Sequence, residues 1–91
     1  MAILTPDGHS IYQLAAGLLL VFKPRGYREE EHTHTHAQRL RVLRGQLRVE
    51  MKGEWVVLDS GDTSLTVASQ QPHATEALED TWLAVERVPH P

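Results

Sequence analysis

The chain contains no cysteine, which excludes disulfide scaffolds, thiolate metal sites and cysteine nucleophiles and accords with a reducing cytoplasm. A basic excess is also missing. Nine Lys and Arg stand against twelve Asp and Glu, a net charge of −3, which argues against nucleic acid as the main partner. Arg39, Arg41, Arg44 and Arg48 do cluster, but Glu29, Glu30, Glu31 and Glu50 flank them, the pattern of a solvated charged face. Long apolar runs are absent too: the longest, residues 14–22, is interrupted by Gly17 and is less than half of what a bilayer crossing needs. No membrane partner is expected. The first residues lack the basic start and apolar stretch of a secretory signal, so a cytoplasmic protein is expected. At 91 residues the chain has room for one core that buries only about 60–65% of the unfolded surface, so oligomerisation or a bound metal is expected to add support.

No sustained helical period runs through ten or more residues, and there is no internal repeat or low-complexity tract. What is present instead is a series of short β-type stretches at residues 9–14, 18–23, 31–36, 39–43, 46–51, 54–58, 63–67, 73–77 and 81–88. Turn signals separate them at Pro24-Arg25-Gly26, Arg44-Gly45, Lys52-Gly53, Asp59-Ser60-Gly61-Asp62 and Gln71-Pro72. Leu47, Val49 and Met51 interleave with Arg48 and Glu50, as on a strand with one wet face. The fold class expected is all-β, an antiparallel sandwich or barrel, with Lys52-Gly53 as a tight hairpin. Trp55 is expected to cover a barrel edge or a dimer contact, and Trp82 to pack on the last strand.

Glu31-His32-Thr33-His34-Thr35-His36 is the most informative segment. Residues two apart project from one side of a strand, so a strand here converges two or three imidazoles, and imidazole nitrogen is the commonest neutral ligand for Mn, Fe, Ni, Cu or Zn. Gln38, four residues after His34, and the remote His73 are placed to complete a cage. His36 is an alternative ligand, a residue behind the ligands or a surface side chain. His9 and His90, near the termini, are read as solvent histidines. Arg39 or Arg41, on the strand that carries Gln38, is a candidate to pair with a substrate carboxylate, but if Gln38 faces inward both alternate outward, towards solvent or another subunit.

These residues carry a family resemblance. Gly26, five residues, His32-Thr33-His34, three residues, Gln38, six residues and Gly45 resemble the first motif of the cupin superfamily, with Gln where Glu is commonest. Gly61-Asp62 and Gln71-Pro72-His73 are similar to its second motif, with Val67-Ala68-Ser69 where Pro-x-Gly usually stands. The resemblance implies one cupin domain over residues 1–91, a double-stranded β-helix or jelly-roll barrel, with motif one at about 26–45 and motif two at about 61–77. It also implies a divalent metal ion held by His32, His34, Gln38 and His73. Gln in the acidic slot, the alternating His run and the stretch 73–81 resemble the KdgF-type, uronate-linearising cupins of pectin and alginate breakdown. Those enzymes use a divalent metal and have an acidic residue on the last strand, which makes Glu86 the candidate catalytic carboxylate.

The leading expectation is thus a metal-dependent enzyme on a small oxygen-rich molecule such as an unsaturated uronate. A non-catalytic metal or small-molecule binding or sensor module and a metal-dependent dioxygenase are the alternatives. An exposed strand edge in so short a chain needs covering, so a homodimer is expected.

Overall fold

The structure, a computed structural model, describes residues 2–4, 8–62 and 64–88. Thr63 and His90, read above as a strand start and a solvent histidine, lie outside the described residues. The strands in chain order are β1 (Ala2–Leu4), β2 (Ser10–Ala15), β3 (Leu18–Lys23), β4 (Arg28–His32), β5 (Ala37–Arg44), β6 (Gln46–Met51), β7 (Glu54–Asp59), β8 (Leu65–Val67), β9 (His73–Ala77) and β10 (Thr81–Val88). They form two antiparallel sheets, β1-β2-β3-β10-β5-β8 and β4-β9-β6-β7, the jelly-roll arrangement that the sequence predicts. Among the described residues no helix is long and apolar enough to cross a membrane.

Alternation decides which side chains meet between the sheets. Val21 from β3, Leu83 from β10, Leu40 and Val42 from β5, and Val67 from β8 face Leu47 and Val49 from β6 and Leu58 from β7. Leu47, Val49 and Leu83 are almost fully buried, and each contributes about 1.5–3 kcal/mol of apolar transfer. The outer face of the smaller sheet is charged: Glu76 accepts from Arg48 at 2.9 Å, and the Arg48 guanidinium lies 3.3 Å from the Trp55 ring centre. Trp82 packs against Phe22 at 4.9 Å on the outer face of the larger sheet, as expected of a last-strand tryptophan. Lys52 and Gly53 both take positive φ, 53° and 75°, matching the tight hairpin that the sequence predicts between β6 and β7.

One strand departs from expectation in a way that shapes the site. The stretch 31–36 is not a strand throughout: β4 starts earlier, at Arg28, and ends at His32. After His32 the chain leaves the smaller sheet to enter the larger one as β5, and the His34 carbonyl accepts from the Gln70 amide at 2.7 Å instead of joining a ladder. The convergence of His32 and His34 therefore comes from a crossing loop, not from strand alternation.

Candidate metal centre

His32 closes β4 and His73 opens β9, and the two are directly paired across the ladder. Their ring centres are 4.3 Å apart. His34 reaches back from the crossing loop to within 4.7 Å of His32 and 5.2 Å of His73, ring centre to ring centre. The potential ligand atoms of the three all lie within 4.8 Å of one another.

The backbone fixes which nitrogen each ring presents. His32 Nδ1 sits 2.7 Å from the Glu30 carbonyl, and His73 Nδ1 sits 3.0 Å from the Gln71 carbonyl. A carbonyl oxygen only accepts, so both Nδ1 atoms carry the proton and both Nε2 atoms keep a lone pair, the usual arrangement behind a metal-bound imidazole. An ion at about 2.0–2.1 Å from each nitrogen needs donor separations of ~3–4 Å, which these rings meet with a small closing movement. The donor set fits a divalent transition ion.

Burial disfavours the charged form of two of the rings. Burial lowers the His73 pKa, the hydrogen bond to Gln71 opposes this, and the His32 and Lys23 charges lower it further. Burial likewise lowers that of His34, joined by the charges of His32 and His73. Unprotonated imidazoles are the form that ligates.

Gln38 lies on β5 two residues before buried Leu40, on the same inward-facing row, and lines a cavity of about 140 Å³ together with His34 and His73. Arg39 and Arg41 are exposed on the opposite face, as alternation requires. His36 is exposed and stands outside the histidine cluster. Glu86 is not brought to the site. It is half-exposed on the outer face of β10, where its carboxylate accepts from Arg39 at 2.8 Å, while its neighbour Val85 turns inward. The strand position is near the one expected, but its parity is wrong for the cavity.

The carboxylate that does face the cavity is Glu29, which the sequence did not single out. Glu29 pairs with Thr75 and His32 pairs with His73, so three steps along β4 match two along β9. This bulge puts residues of unlike parity on one face. Glu29 Oε1 lies 3.5 Å from His32 Nε2 and 3.5 Å from Lys23 Nζ. Burial works to raise the Glu29 pKa, and the charges of Lys23, His32 and His9 more than offset it, so it is lowered. Lys23 is buried and donates to Thr75 Oγ1 at 3.0 Å. Its signal was in plain view, since a lysine two residues after inward Val21 falls on the core side of β3. His9 is buried as well, not in solvent: it lines the cavity, with Nδ1 3.1 Å from the Tyr27 hydroxyl. The residue immediately precedes β2, which pairs with β3 of the larger sheet.

Comparison with known proteins agrees with this geometry. A family model described as "Cupin domain" matches residues 18–85. No curated protein matches the chain. Among solved structures, KdgF from Halomonas sp. is 26% identical, with a TM-score of 0.75 over 98% of this chain and 84% of that one. The cupin domain of an XRE family transcriptional regulator from Enterobacter cloacae is 18% identical, with a TM-score of 0.72 over 90% of this chain and 98% of that one. Drosophila melanogaster CENP-C bound to CAL1 is 17% identical, with a TM-score of 0.78 over 97% and 80% of the two chains. The last two likenesses are of fold alone.

Proposed function

The chain belongs to the cupin domain family, and on that premise we propose that it is one cupin domain that binds a single divalent metal ion and acts on a small oxygen-rich molecule. The observation that carries the reading is the convergence of His32, His34 and His73, with backbone carbonyls holding Nδ1 of two of the rings so that Nε2 is left as the ligating atom. Gln38 would add an amide oxygen as the fourth ligand. Neutral Gln in place of a carboxylate leaves the ion's double charge undiminished by these ligands, which favours an anionic guest. An ion of the Mn, Fe, Ni, Cu or Zn kind would polarise a carbonyl or steady a developing enolate oxygen. The residues around it orient the guest: His9, Lys23, Glu29 and Thr75 supply polar lining, and Leu19, Leu40, Leu83 and Val85 supply apolar lining that excludes water.

The substrate class proposed is an unsaturated uronate, opened to a keto sugar, on the strength of the likeness to KdgF. A homodimer belongs to the same proposal, because β7 is an edge strand with Trp55, Val56 and Val57 all exposed. Light scattering reads that state directly. The functional test is elemental analysis of untagged protein, as isolated and after reconstitution with Mn, Fe, Ni, Cu and Zn in turn, followed by incubation with unsaturated uronates and by oxygen uptake. About one ion per chain with keto-sugar formation and no oxygen consumption is expected. Oxygen consumption with the native metal would replace the reading by a dioxygenase, and no stoichiometric ion under any condition would leave a binding module.

A further inference from the structure

The cavity wall beside the histidines contains a buried ammonium with an incomplete set of partners. Lys23 is 5% exposed, and its Nζ has two polar partners among the described residues: Thr75 Oγ1 at 3.0 Å and, at the long distance of 3.5 Å, Glu29 Oε1. An ammonium carries three donors, and the remaining one has only the distant face of the Tyr27 ring, 5.7 Å from Nζ to its centre, so it can serve a further acceptor. Burying such a group is costly unless its donors are satisfied, and here it borders the cavity that His34, Gln38 and His73 also line. Glu29 Oε1 is equally close to Lys23 Nζ and His32 Nε2, so the ammonium and the ring nitrogen are no more than twice 3.5 Å apart. A small ligand with one group at the histidine cluster can therefore bring a carboxylate oxygen within reach of Lys23.

Charge balance favours such a guest. Lys23 and Glu29 carry opposite charges, Gln38 is neutral and an imidazole that ligates is neutral, so a bound divalent ion would leave the polar end of the cavity with an excess of two positive charges. We propose that Lys23 is the carboxylate-receiving residue of this cavity, held in place by Thr75 and Glu29, and that it selects anionic over neutral ligands. The proposal rests on the metal-binding reading for its full strength, but the ammonium donor exists without the ion.

The test uses pyruvate as the probe and pyruvamide as its neutral counterpart, titrated calorimetrically into the whole chain with and without reconstituted metal. The proteins are the parent, Lys23→Met and the double variant Lys23→Met/Glu29→Gln, which leaves no unpaired carboxylate; metal content is measured on each. Pyruvate affinity is expected to fall about tenfold or more in both variants, as for loss of a charged hydrogen bond, with pyruvamide unchanged and metal content retained. Lys23→Arg is expected to recover part of the loss. Equal pyruvate affinity in parent and variants, or no pyruvate binding by the parent at millimolar concentration, overturns the assignment. If no ion loads, the metal reading fails by itself, and the metal-free titrations decide on Lys23 by the same comparison.

Discussion

His73→Ala is expected to remove most of the thermal stabilisation that a divalent ion gives this chain. An ion that binds only the folded state stabilises it by about 2.7 kcal/mol when present at a hundredfold excess over Kd. For a domain of this size each kcal/mol moves Tm by roughly 4–8 °C, so the parent protein should gain about 10–20 °C. His73 is 3% exposed, packs its ring on His32 and holds its Nδ1 on the Gln71 carbonyl. Loss of an outer-shell partner alone weakens metal sites by about 10–100-fold, so loss of an imidazole ligand should cost at least the upper figure. At the same ion concentration the variant then sits near its own Kd, where the ion adds only about 0.4 kcal/mol, or ~2–3 °C. The substitution also leaves the Gln71 carbonyl without its donor and opens space in the wall, costing the metal-free chain about 1–3 kcal/mol. The quantity to compare is therefore the ion-induced shift within each protein, read by scanning calorimetry against a chelator baseline. An equal shift in parent and variant would refute the role of His73, and no shift in the parent with any of the five ions would refute the site.

Acid should displace the ion from His34 and His73 below the ordinary imidazole range, because burial first of all lowers the pKa of both; titration calorimetry on descending pH checks this, and a steep loss already above 6.5 would contradict it. In the metal-free chain the same depression means that the unfolded state takes up protons that the folded sites resist, so stability falls as pH drops through 6.5 and levels off below the folded-state values; a rise over that window in urea titrations would reverse the argument. Gly45→Ala is expected to cost about 2–4 kcal/mol, since φ is +95° and a Cβ would stand 2.7 Å from Thr81 Oγ1 and 2.9 Å from Thr81 Cα; less than ~1 kcal/mol by denaturation would show that this turn can relax. Glu86→Gln should leave metal content and ligand affinity unchanged and stability within about 1 kcal/mol, the usual range of an exposed ion pair; lost ion binding or turnover would return Glu86 to the chemistry.

The frame of the barrel was legible because turn residues and apolar alternation are local properties. Lys52-Gly53, the parity of Leu47 and Val49 and the outward turn of Arg39 and Arg41 all follow from residues next to them in sequence. The histidine triad was legible for a partly wrong reason. His32 and His34 do converge, yet His34 lies beyond the end of β4, and its place is set by a hydrogen bond from Gln70, thirty-six residues away. Glu86 shows the opposite failure: the strand was right, and a single step in parity put the carboxylate on the solvent side, opposite Arg39. His9 was misjudged from its nearness to the terminus, when the residue is buried and lines the cavity.

Glu29 shows why the polar wall of the cavity could not be read from spacing. On a regular strand, residues three apart point to opposite sides, so a carboxylate at 29 and an imidazole at 32 should never share a face. The bulge between them supplies the extra residue that brings both inward, against Thr75 and His73 on β9. Once inside, Glu29 needs a counter-charge, and Lys23 meets it from β3 in the other sheet. The pair is thus a joint between the two sheets as well as a lining for the cavity: Thr75 and Glu29 hold the ammonium, and Glu29 also reaches His32 Nε2 at 3.5 Å. On the proposed reading, the imidazoles of His32, His34 and His73 govern ion binding and Lys23 on β3 governs anion selection, so replacing the lysine is expected to change the second while the first is retained.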